Sequence, residues 1–76
     1  MFITVYGKYG PQPPKNHVIN TNLIQKIQTK QPLFGKEKYY DIWVQTDGYG
    51  PQYVYRVSRS EAKKLCDAIG IDIVDL

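Results

Sequence analysis

The sequence predicts an α+β domain: a small antiparallel sheet of three to five strands, with one amphipathic helix at about 59–69 packed on one face. Three observations predict it. Tyr40, Ile42 and Val44 alternate with Tyr39, Asp41, Trp43 and Gln45 in strict period two, the mark of a strand with one buried face. Ser58-Arg59-Ser60-Glu61 has the S-x-x-E form of a capping box, and Ala62, Leu65, Cys66 and Ile69 follow it at helical spacing. Clusters of Gly, Pro, Asn and Asp separate the β-rich runs.

The first run, Phe2-Ile3-Thr4-Val5-Tyr6, is rich in β-branched and aromatic residues. Residues 7–16 carry two glycines and three prolines. Proline fixes φ and removes a donor, so this stretch is expected to be a stiff, partly extended loop. Val18-Ile19 resumes β character. Asn20-Thr21-Asn22 can bond their own backbone, and only one helical turn fits before Gln31-Pro32, so a single turn at 21–24 should feed a short strand at 25–29. Residues 30–37, with Pro32 and Gly35, form the return loop.

In the strand at 38–46 the core set is Tyr40, Ile42 and Val44, and Trp43 falls on the opposite face beside Asp41 and Gln45. There it is either packed under a loop or offered to a partner. Asp47-Gly48 signals a hairpin, and residues 52–57 return as a strand with Tyr53 and Tyr55 alternating with Val54 and Arg56. Gly70 suits the position that ends the helix, and residues 71–76 could add a closing strand.

A chain of 76 residues allows one domain, residues 1–76, and buries only about 60% of the surface its unfolded form exposes. Its apolar runs are far shorter than the roughly 20 residues that span a bilayer, and Met1 leads directly into the first strand without a basic stretch, so a cytoplasmic protein with no membrane partner is expected. Cys66 is the only cysteine and His17 the only histidine, which argues against a disulfide or a zinc site; no metal and no cofactor is expected. Asp41, Asp47 and Glu37 fall on an exposed strand face and in loops without converging, so no catalytic residue is assigned and the chain reads as a non-enzyme. Gly7-x-x-Gly10 and Gly48-x-Gly50 lack the following helix of a phosphate cradle.

One feature suggests a binding surface. Tyr-Gly-Pro-Gln occurs twice, at 9–12 and 49–52, each time after a predicted strand. In an up-and-down sheet the connections after the first and third strands share an end, so the two copies would form one tyrosine-bearing rim. Seven tyrosines exceed what one small core buries, and exposed tyrosines supply contact area at little entropic cost. The expected partner is another protein, met by Tyr9, Gln12, Tyr49, Gln52, Tyr39 and Trp43. A small chain without enzyme signature fits an accessory or inhibitory factor of a phage or mobile element, anti-defence inhibition included, acting by stoichiometric binding.

Charge supports an alternative. Residues 1–60 hold eight Lys/Arg against three acids, and residues 61–76 hold two against four. A basic sheet with many tyrosines could bind single-stranded nucleic acid or RNA through Lys26, Lys30, Lys36, Lys38 and Arg56. That reading ranks second because the lysines scatter along the sequence while the aromatics gather at one end. A homodimer formed through an open sheet edge is a third possibility.

Residues Val18-Ile19-Asn20-Thr21-Asn22-Leu23-Ile24-Gln25-Lys26-Ile27, then a strand, a turn, Tyr53-Val54-Tyr55-Arg56-Val57-Ser58 and a helix bearing Glu61 and Leu65, follow a pattern that resembles the short FlbD-type flagellar proteins. The proline-rich first loop and the longer central loop depart from it. The resemblance implies the order of elements and carries no functional residue.

Overall fold

A computed structural model of the chain describes residues 1–31, 38–45 and 52–75. Five strands, β1 (Phe2–Tyr9), β2 (Lys15–Asn20), β3 (Ile24–Lys30), β4 (Tyr39–Gln45) and β5 (Gln52–Val57), precede helix α1 (Arg59–Ile69), with 3₁₀ turns at Thr21–Leu23 and Ile73–Asp75. The fold is α+β, as the sequence predicts.

The sheet order is β2-β1-β5-β4-β3, antiparallel throughout. This corrects the simple meander, because β2 does not pair with β3 and β1 pairs instead with β5 through Gly7↔Val57, Lys8↔Arg56 and Tyr9↔Tyr55. The two edge strands, β2 and β3, are nevertheless consecutive in sequence, joined only by Thr21–Leu23. A three-residue link cannot cross a flat five-stranded sheet, so the sheet curls until its edges approach. Beside β2 lies an open groove with Phe2, Val18 and Leu23 on one side and Val44, Gln45 and Tyr53 of β4 and β5 on the other.

The inward face is set by period two. Val5 and Ile19 from the first hairpin meet Tyr40, Ile42, Val44 and Val57 from β4 and β5, and Ala62, Leu65 and Cys66 of α1 close over them together with Ile73. Gly7 is buried because the backbone of β5 passes too close for a side chain: a Cβ there would lie 2.6 Å from both Arg56 O and Val57 Cγ1.

Helix α1 starts where expected. Ser58 Oγ accepts from the Glu61 N–H at 3.5 Å, and Gly70 ends the helix at φ +82°, the left-handed geometry that glycine adopts without a Cβ penalty. Glu61 does not complete the capping box; its carboxylate accepts from the backbone N–H of Tyr6 at 2.7 Å.

Three further features differ from expectation. The first loop is shorter than predicted, since β1 runs on to Tyr9 and β2 begins at Lys15. Its turn uses Gly10 at φ +60° ahead of Pro11, the sign pattern of a II′ turn, and Gln12 N–H donates to Tyr9 O at 3.4 Å. The closing strand at 71–76 is replaced by the 3₁₀ turn Ile73–Asp75, which needs one inward residue, Ile73, rather than an alternating face. Asp41 is buried, at 5% exposure, not on an open face.

Candidate functional site

The outward face of β3, β4 and β5 gathers the residues with binding chemistry. Cross-strand register places Lys26 opposite Trp43, Gln28 opposite Asp41 and Lys30 opposite Tyr39. On the other side, Val54 lies opposite Trp43 and Arg56 opposite Asp41, and Lys8 of β1 lies opposite Arg56. Lys8, Lys26, Lys30 and Arg56 therefore share one face with Trp43 and Tyr39. The sequence order hides this, because strand pairing brings the three lysines and Arg56 together from three different strands.

Each ring carries a cation. The Lys26 ammonium sits 4.4 Å from the Trp43 ring centroid, and the Arg56 guanidinium 4.1 Å from that of Tyr39. Arg56 also holds Asp41, Nε to Oδ1 at 3.3 Å, which neutralises this buried acid. Lys8, Gly10, Asp41, Val54 and Arg56 line a cleft of about 260 Å³. Trp43 is half-buried, which answers the choice between a packed and an offered ring with something of each. Its indole N–H is covered and has no hydrogen-bond partner among the described residues.

At one end of this face three amides meet. A bulge between Ile24 and Lys26 inserts Gln25 into β3, so that Gln25 Nε2 donates to Gln45 Oε1 at 2.9 Å and Gln52 Nε2 donates to both Gln25 and Gln45. Sequence reasoning missed Gln25 and Lys8. Lys8 becomes legible once β1 is extended to Tyr9, since period two then puts it outward; the Gln25 bulge leaves no composition signal.

The tyrosine rim is only partly described. Tyr9 ends β1 at the end of the sheet where β4 finishes and β5 begins, so the connections that carry the two tetrapeptides lie at the same end. Tyr49 itself, with Lys36, falls outside the described residues. Tyr9 packs inward, its ring 5.2 Å from Tyr53 and 5.5 Å from Tyr55, and His17 stacks 4.7 Å from Tyr55 while its Nε2 lies 3.2 Å from Gly7 O. Burial, with Tyr53 and Tyr9 alongside, pushes the Tyr55 phenol up from its ordinary value. These rings plug the end of the curl away from α1. Gln12 is exposed beside the plug. Lys38 stands apart from the basic face, in a depression it shares with Ser58, Arg59, Ser60 and Lys63 at the start of α1.

Among the described residues no group of three His, Cys, Asp or Glu side chains could hold a metal ion, and no helix is long and apolar enough to cross a membrane. Comparison of the chain with protein-family models, with curated proteins and with solved structures gave no match.

Proposed function

We propose that the protein is a non-catalytic binding module that holds single-stranded nucleic acid on the outward face of β3, β4 and β5. The observation that carries this reading is the interleaving of Trp43 and Tyr39 with Lys8, Lys26, Lys30 and Arg56 on one face. Single-strand binders combine aromatic platforms for bases with cations that follow the phosphates, and stacking is tolerant of sequence because every base has a π face. Lys26 and Arg56 cover the two rings in the free protein. A phosphate competes for those cations; drawing them aside uncovers the rings, and an acceptor on the ligand can then reach the unpartnered Trp43 N–H. The seven residues of β4 give the platform a length of about 20 Å, room for a short run of nucleotides rather than a single one.

The protein-binding rim is the weaker reading, because Tyr9 is already engaged with Tyr53 and Tyr55 inside the curl. The test is fluorescence anisotropy with labelled single strands of roughly 12 nucleotides, DNA and RNA, beside a duplex of the same sequence. Binding of the single strands with quenching of Trp43 emission, weakened by added salt, is expected. No binding at low salt, or equal binding of the duplex with unchanged Trp43 emission, overturns the reading.

A further inference from the structure

We infer that two copies of the chain pair antiparallel through the free edge of β2, about a two-fold axis at Val18. The backbone geometry fixes which groups that edge presents. Thr21 N–H donates to Met1 O at 2.8 Å, and the β1–β2 register steps from there in alternation. Ile19, His17 and Lys15 thus direct their N–H and C=O groups toward β1, and Asn16, Val18 and Asn20 direct theirs away from it. None of the other described strands pairs with that side. Buried or not, such a row is a template for another strand.

The two edges of the sheet are unequal. β3 is protected by its bulge at Gln25 and by Lys26 and Lys30. β2 contains no bulge and no proline, and its one charge, Lys15, sits at its first position. Three exposed apolar side chains lie at the unprotected edge: Val18 is 68% exposed, and Phe2 and Tyr6, diagonal to it on β1, are 70% and 52% exposed. A groove of about 340 Å³ adjoins the edge, with Val44 and Tyr53 on its far side.

A second copy matches these features, because the edge meets its own image without a charge conflict. With Val18 opposite Val18 of the second copy, Asn16 meets Asn20, and the residues that exchange hydrogen bonds are the ones whose groups point outward. The same register sends the two Lys15 side chains to opposite ends, so no like charges face each other, and it joins Phe2, Tyr6 and Val18 of both copies into one apolar strip. The basic face of β3, β4 and β5 lies toward the other edge and stays open, so this pairing stands or falls independently of the nucleic-acid reading.

Sedimentation of the full chain from about 1 µM to 1 mM tests it, a range that spans weak to firm dimers. Wild type is expected to approach twice 8.8 kDa at the upper end, and Val18→Lys to remain at the monomer mass with its cooperative melt retained. Val18→Cys provides the geometric check, since strands paired at this position bring the two Cα atoms within disulfide range; mild oxidation should give a covalent dimer that Thr4→Cys, on the inner strand β1, does not give. A wild type that stays monomeric across the range overturns the inference. So does a Val18→Lys chain that dimerises as well as wild type, or a Val18→Cys chain that cross-links no faster than Thr4→Cys.

Discussion

The Glu61 carboxylate accepts a hydrogen bond from the backbone N–H of Tyr6, tying the first turn of α1 to the middle of β1. The contact exists because β5 pairs with β1 only as far as Gly7, where Val57 gives way to Ser58 and the helix. Beyond that point β1 has an N–H with no strand to receive it, and a carboxylate takes the place of the missing carbonyl. Glu61 also receives Lys64, Nζ to Oε2 at 3.0 Å.

Its pKa is lowered, first by the Lys64 hydrogen bond and then by the Tyr6 N–H. A carboxyl depressed in the folded state contributes stability that is complete above the ordinary carboxylate range and is lost as pH falls through the folded-state value. Glu61→Ala should therefore lower stability by about 1.5–3 kcal/mol at neutral pH, the cost typical of a hydrogen bond to a charged group. The gap between wild-type and variant melting temperatures should narrow as pH falls below the ordinary carboxylate range. A gap that does not change with pH would place the effect in helix capping instead.

Leu65→Ala should destabilise by about 2–5 kcal/mol, because Leu65 is fully buried at the centre of the α1 stripe between the helix and the sheet. Denaturant titration checks it, and an unchanged midpoint would mean that α1 does not dock through this face.

Gly7→Ala tests the seam between the two halves of the sheet. A methyl group at this position meets the Arg56 carbonyl and the Val57 side chain at 2.6 Å, and one of those atoms is backbone with no freedom to turn aside. The expected loss is at least about 1–3 kcal/mol, and amides of β1 near Tyr9 should exchange faster than those of β4. A variant as stable as wild type would show that β5 can move away from β1 at little cost.

Much of this was legible in the sequence, for identifiable reasons. Residues 39–45 and 59–70 were placed correctly because period two, the Ser58 cap and the terminal Gly70 act locally. The turn at Thr21 and the strand after it followed from Asn20 and the short distance to Pro32. What was not legible depends on partners distant in sequence. The pairing of Gly7 with Val57, the burial of Asp41 by Arg56 and the assembly of Lys8, Lys26 and Lys30 on one face all arise from strand order. The tyrosine repeat drew attention to the sheet end that holds the plug, but the cations and Trp43 lie on the reverse surface.

Charge reversal at Lys26 and Lys30 together is expected to weaken single-strand binding by at least about tenfold and to reduce the slope of log affinity against log salt by about 1.4, as two lost phosphate contacts require. Arg56 is left intact because its removal would strand buried Asp41. Tyr9→Ala should lower the melting temperature while leaving the affinity of the folded fraction close to wild type, since its ring packs on Tyr53 and Tyr55. Anisotropy titrations at two salt concentrations, run beside melting curves, check both. If Tyr9→Ala abolishes binding and the lysine pair does not, the ligand is held at the rim.

The short link at Thr21–Leu23 and the seam between β1 and β5 together bear on how the chain reaches its native state. Every other neighbouring strand pair joins segments close in sequence, whereas the seam joins the two ends of the sheet-forming chain. Closing it carries the largest loop entropy, so the β3-β4-β5 hairpins gain most of their contacts before it forms. The β1–β2 hairpin then docks as a late-arriving cover, with Gly7 as its point of closest approach and Glu61 as its latch. Its departure as a unit would bare Leu65 and Ile42 while β4 remains paired on both sides.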